Sequence, residues 1–183
     1  MKKVLLSCAL LISLLGMGAC GSSDDSSSTK NVKSTATATS ETSENKKKDG
    51  TYENRTLTVP DGVLKITGFQ KGTDYEGKPM FYVLFDLTNN TEEAQNVQNM
   101  YMGFVNVKQN TGDTTEDLEF SMMTDSPLQD KLDMLQKDIN PGATIQGAYA
   151  YNFADESKPV TFIFTDELFS MDDPIATEEI TIQ

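Results

Sequence analysis

The chain has 183 residues and a net charge of −13, from 15 Lys and Arg against 28 Asp and Glu. Residues 51–183 hold 8 of the basic and 23 of the acidic groups, a net of −15, so this body repels phosphate backbones and a nucleic-acid partner is excluded. Histidine is absent, and the two cysteines, Cys8 and Cys20, both lie ahead of it, so neither an imidazole base, a thiol nucleophile nor a disulfide is available there, and no cofactor or metal is assigned.

The chain opens with a positive Met1-Lys2-Lys3, and Val4 to Ala19 follows without a charge. As a helix this stretch would span about 24 Å, short of the roughly 30 Å hydrocarbon core of a bilayer. Residues 1–19 therefore read as a signal peptide, with Cys8 as an apolar filler inside it. It ends in Met17-Gly18-Ala19-Cys20, then Gly-Ser-Ser. That ending resembles the lipobox of bacterial lipoproteins, with methionine where leucine is usual at the first position. The resemblance implies cleavage before Cys20 and lipid attachment at its sulfur, which makes the membrane a partner through this residue.

Residues 20–50 read as a tether behind the lipidated cysteine. Thirteen of the 30 residues from Gly21 to Gly50 are Ser or Thr, and Val32 is the one large apolar side chain, too little to offset the entropy of ordering.

From Thr51 onward short alternating runs are broken by turn residues, and residues 51–183 read as one domain. Thr56–Val59 alternates, Pro60-Asp61-Gly62 turns the chain, and Val63–Phe69 runs on. Met80–Thr88 puts Phe81, Val83, Phe85 and Leu87 on one face and Tyr82, Leu84, Asp86 and Thr88 on the other. Met100–Lys108 is expected as a further strand, with Met100, Met102 and Phe104 alternating. Ser126-Pro127-Leu128-Gln129 has the form of an N-cap, an N1 proline and a capping-box glutamine, and Leu128, Leu132, Leu135 and Ile139 recur at helical spacing. This predicts a short helix from Pro127 to about Lys137. Strands over Ala143–Phe153 and Val160–Thr165 follow, and Glu179–Ile182 closes the chain. Seven or eight strands with one helical insertion predict an all-β fold, an antiparallel immunoglobulin-like β-sandwich without that fold's disulfide or tryptophan.

Four stretches carry a wider resemblance: Leu64–Phe69, Phe81–Asn90, Asn140–Thr144, and Ala148-Tyr149 through Lys158–Thr161. With the lipobox and the tether, they resemble the uncharacterised immunoglobulin-like lipoproteins of Gram-positive bacteria. The resemblance implies the sandwich fold and brings no catalytic or ligand residue with it.

The candidate chemistries are few. Ser157 and Lys158 are adjacent and point apart on an extended chain, which disfavours a dyad. Calcium could draw on Asp113, Glu116, Asp117 and Glu119, or on Asp166, Glu167, Asp172 and Asp173, though neither set matches the EF-hand spacing. Met100, Met102, Met122 and Met123 could offer thioethers to Cu(I), against the plainer reading of core packing. Tyr149 and Tyr151 could stack on a sugar or peptide, or simply pack in the core. The expectation is a cell-surface lipoprotein, lipid-anchored on the extracellular face of the cell membrane, whose domain is non-enzymatic and binds an extracellular protein or wall polymer. An envelope enzyme using paired carboxylates, or a carrier of a metal or small ligand, is the alternative.

Overall fold

A computed structural model of the chain describes residues 49–123, 125–167 and 173–183. The expected signal peptide, Cys20, nearly all of the tether, and Asp172 lie outside them.

The chain forms the expected all-β antiparallel sandwich. Strands β1 (Thr51–Glu53), β2 (Thr56–Val59), β3 (Gly62–Thr73) and β4 (Pro79–Asn89) follow one another as hairpins. The first turn, Asn54-Arg55, has φ of 50° and 58°, the doubly positive backbone that matches strand twist in a two-residue hairpin. After β5 (Gln95–Asn96) and helix α1 (Val97–Phe104) come β6 (Val105–Asn110) and β7 (Thr115–Asp117). Helix α2 (Gln129–Leu132) tightens into a 3-10 turn (Asp133–Gln136). Then β8 (Asp138–Ile139), β9 (Thr144–Asn152), β10 (Val160–Phe164) and β11 (Ala176–Ile180) complete the fold. One sheet runs β1-β2-β3-β4-β9 and the other β11-β10-β6-β7, while β5 and β8 pair alone. No helix among the described residues is long and apolar enough to cross a membrane.

Aromatic side chains join the sheets. Tyr52 of β1 stacks on Phe164 of β10 at 4.1 Å, and Phe69 of β3 meets Phe162 at 5.5 Å. Phe81, Val83, Phe85 and Leu87 are buried together, as their alternation along β4 requires, each contributing about 1.5–3 kcal/mol on leaving water. The opposite face of β4 is buried at its start, at Met80 and Tyr82. Tyr82 bonds Ser126 between hydroxyls at 2.9 Å, and the Ser121 hydroxyl donates to the Met80 sulfur at 3.2 Å. Ser121 and Ser126 thus mark a strap over the outside of the sheet at Met80 and Tyr82.

Two expectations need correction. Met100–Lys108 is not one strand: helix α1 runs to Phe104, and the strand begins at Val105. The Asn96 side chain caps the helix by accepting the Asn99 N–H at 3.1 Å, and Val97, Tyr101 and Phe104 are buried at helical spacing. The Met100-Met102-Phe104 alternation is incidental to that spacing. The helix expected over 127–137 is broken instead into α2 and the 3-10 turn, and Ile139 belongs to β8. Ser126 does not cap α2, whose N-cap is Leu128 without a side-chain bond; its hydroxyl accepts the Leu128 N–H at 3.1 Å in the turn ahead of the helix. Gln129 does not close a capping box; it donates forward to Asp133 at 2.7 Å.

Candidate functional site

The segment after β7 passes from one sheet to the other. The Leu118 N–H donates to Val107 of β6 at 2.8 Å. One residue on, the pairing switches to β9: Asn152 N–H donates to Glu119 O at 3.2 Å, and Ser121 N–H to Ala150 O at 2.9 Å. Phe120 therefore faces Tyr151 as an isolated antiparallel bridge. Beyond it the strap begins, and the Met122 carbonyl accepts the Tyr75 N–H at 3.1 Å.

This crossing leaves a groove of about 320 Å³ between Phe120, Met122 and Met123 on one side and Gln98 of α1, Leu132 and Leu135 on the other. Phe120 is 41% exposed and Met122 67%. Their support is rigid. Phe120 meets Tyr149 edge-on at 5.2 Å, Tyr149 stacks on Tyr101 at 4.8 Å, and Tyr101 stacks on Phe85 at 4.7 Å. Burial pushes the Tyr101 and Tyr151 hydroxyls well above the ordinary phenol range. Burial raises Tyr149 too, against a hydrogen bond from Gln98 that favours its ionised form. The rim is polar, with Gln129, Asp133 and Gln136 around it.

A second cleft, about 550 Å³, opens at the β3–β4 turn between Tyr75, Glu76, Lys78, Asn152, Phe153 and Glu156. Its acids have partners: Glu76 pairs with Lys78 at 2.5 Å and Glu156 with Lys71 at 3.0 Å. The hydrogen bond and charge of Lys78 hold the Glu76 carboxyl below its usual range. A third hollow, about 280 Å³, lies between Asp61, Met100, Phe104, Asp166 and Glu167.

The sequence candidates fall in different places. Met122 and Met123 line the first groove, Met100 lines the third hollow, and Met102 stands on the exposed surface of α1, so the four thioethers are not gathered in one site. Tyr149 and Tyr151 are each 5% exposed, which removes them as a stacking platform and makes them core residues beneath Phe120. Asp117 pairs with Lys108 at 3.1 Å and Glu116 accepts from Thr114. Among the described residues no three acidic side chains converge as a metal-holding group, and Asp172 of the second set lies outside them. The Ser157 hydroxyl donates to Asp155 at 2.6 Å, while the Lys158 ammonium donates to the Thr111 carbonyl. Phe120 itself was not singled out by sequence reasoning. Its signal was available in Asp117-Leu118-Glu119-Phe120-Ser121-Met122, a strict polar–apolar alternation.

Residues 36–166 match the family described as "Domain of unknown function (DUF5067)". An NMR structure of a protein from Enterococcus faecalis is similar at 60% identity and a TM-score of 0.65, covering 73% of this chain and 94% of that one. A protein described as a "putative lipoprotein" from Staphylococcus aureus has the same fold at 16% identity and a TM-score of 0.64, covering 72% of this chain and 91% of its own. No curated protein matches.

Proposed function

We propose that this chain, which belongs to the DUF5067 family of domains of unknown function, is a lipid-anchored, non-enzymatic binding module of the outer cell surface that holds a protein partner in the Phe120–Met122 groove. One observation carries the reading. The four exposed large hydrophobics among the described residues are Tyr75, Met102, Phe120 and Met122. Two of them, Phe120 and Met122, line the groove, while Tyr75 lines the cleft at the β3–β4 turn and Met102 stands elsewhere on α1. Two exposed apolar side chains in one groove mark an interaction surface, and methionine beside an aromatic ring adapts to a partner's shape. An anionic body makes this a poor membrane-insertion surface, and an apolar groove of this kind suits a protein partner.

The other parts of the reading rest on the sequence. Residues 1–19 direct export, Cys20 carries the lipid, residues 20–50 hold the domain away from the membrane, and residues 51–183 form an immunoglobulin-like sandwich on the extracellular face. The S. aureus neighbour's description as a "putative lipoprotein" supports this placement.

Two experiments on intact cells test the proposal. Cys20→Ser moves the protein from the membrane to the medium; retention at the membrane contradicts the anchor. A photo-crosslinking side chain at Met122 gives a discrete protein adduct that Phe120→Ser abolishes, and the same group at exposed Lys65 gives none. Equal adducts from both positions, or none from Met122, contradict the groove.

A further inference from the structure

We propose a second binding site, in the cleft of about 550 Å³ at the β3–β4 turn, that takes an uncharged saccharide carrying an acetamido group. The cleft shares no lining residue with the Phe120–Met122 groove, so the site stands apart from the protein partner held there.

Two preformed turns build the cleft. Asp74 holds the first: its carboxylate accepts the N–H groups of Glu76 and Lys78 at 2.8 Å each, and its carbonyl accepts the Gly77 N–H at 3.1 Å. Gly77 has a φ of 81°, which glycine adopts without a side-chain clash. This turn carries Tyr75, 63% exposed, into the lining. The second turn follows β9, where the Gln109 carboxamide accepts the Ala154 and Asp155 N–H groups at 2.9 Å each. Phe153 enters the lining from here, packed on Phe81 at 4.7 Å.

Asn152 points to a ligand. It lines the cleft, and its Oδ1 is buried with no hydrogen-bond partner among the described residues. An unmatched buried acceptor costs about 1–3 kcal/mol, so the site favours a ligand that brings a donor. The terminal torsion of asparagine is soft, which lets the carboxamide turn toward that donor.

Charge and shape choose the ligand class. Glu76 is paired with Lys78 and Glu156 with Lys71, while Asp74 is taken by the two backbone N–H groups. An ionic ligand would have to break one of these contacts. Hydroxyls can donate to the carboxylates and accept from the ammonium groups while both pairs stay intact. The exposed Tyr75 ring suits the apolar C–H face of a pyranose. An acetamido N–H supplies the donor that Asn152 Oδ1 lacks, and its methyl suits the apolar Pro79 and Ala154 in the lining. A peptide segment would call for pockets for alternate side chains, which this charged rim does not offer.

The test titrates fluorescently labelled chitotetraose, a chain of N-acetylglucosamine units, with the full chain in phosphatidylcholine nanodiscs. Anisotropy should show saturable binding that weakens about tenfold in Tyr75→Ala and is kept in Tyr75→Phe. Phe120→Ser should bind as the wild type does. The Asn152 side-chain NH2 resonances should shift on binding, a readout that needs no substitution at a buried group. Several results would each overturn the site: no saturable binding, equal binding of labelled cellotetraose, which lacks the acetamido group, or displacement by acetyl-tetraalanine amide. Unmoved Asn152 resonances, wild-type affinity in Tyr75→Ala, or loss of binding in Phe120→Ser would do the same.

Discussion

Gly147 and Phe85 are cross-strand partners on β9 and β4, and the Phe85 ring occupies the space a side chain on Gly147 would need. A Cβ there would lie 2.5 Å from Phe85 Cζ and 2.7 Å from Cε2. The ring cannot retreat, because it is buried and stacked on Tyr101 at 4.7 Å, the base of the column that supports Phe120. Gly147→Ala should therefore cost about 1–3 kcal/mol, read as a lower urea midpoint. Phe85→Leu, destabilising by itself, should cost less in the Gly147→Ala background than in the wild type; strictly additive losses would show that the two do not collide.

Gln109 fastens the turn that follows β9. Its carboxamide oxygen accepts the N–H groups of Ala154 and Asp155 at 2.9 Å each, and its nitrogen donates to the carbonyls of Asp155 at 2.8 Å and Lys158 at 3.0 Å. The side chain is fully buried, so an apolar replacement strands backbone groups without solvent. Gln109→Leu should destabilise by about 3 kcal/mol and speed amide exchange at Ala154 and Asp155. A loss below about 0.5 kcal/mol would contradict this role.

Stability should fall at high pH. Burial raises the Tyr101 and Tyr151 hydroxyls above the ordinary value of about 10 that they recover on unfolding. Above that pH the unfolded chain releases protons that the folded chain retains, so the contribution is complete below pH about 10 and is lost as pH climbs toward the folded values. Each such tyrosine costs about 1.4 kcal/mol per pH unit in that window. Urea midpoints between pH 9 and 11 measure it, and a flat profile would contradict the burial of the hydroxyls.

The acid side has a local effect. The Ser157 side-chain and backbone hydrogen bonds hold the Asp155 carboxyl below its usual value. This contribution is present above the ordinary Asp pKa of about 3.9 and is lost as pH falls through the lower folded value. The Ser157 amide resonance should move in that acidic window and stay fixed in Asp155→Asn; an unchanged resonance in the wild type would contradict the bond.

The strands were legible where one face of the chain meets the core. Phe81, Val83, Phe85 and Leu87 alternate because β4 lies between β3 and β9 over a single core, and the period of two survives in the sequence. Helix α1 was not legible, because Met100, Met102 and Phe104 imitate that period while the buried set is Val97, Tyr101 and Phe104. Asn96 was the available cue, as a capping residue just ahead of the helix. Tyr149 and Tyr151 were visible as a pair, but only the crossing of residues 118–121 shows that Phe120 covers Tyr149 and takes the exposed position. Such a crossing between sheets depends on pairing between distant segments, which local periodicity does not encode.

Methionine oxidation footprinting on intact cells, compared with the purified protein, tests occupancy of the groove most directly. Met122 is 67% exposed and Met80 is fully buried, so dilute peroxide should convert Met122 to the sulfoxide in the purified chain and spare Met80 in both samples. The account predicts that Met122 is protected on cells, where the partner covers it. Equal oxidation of Met122 in the two samples would contradict it.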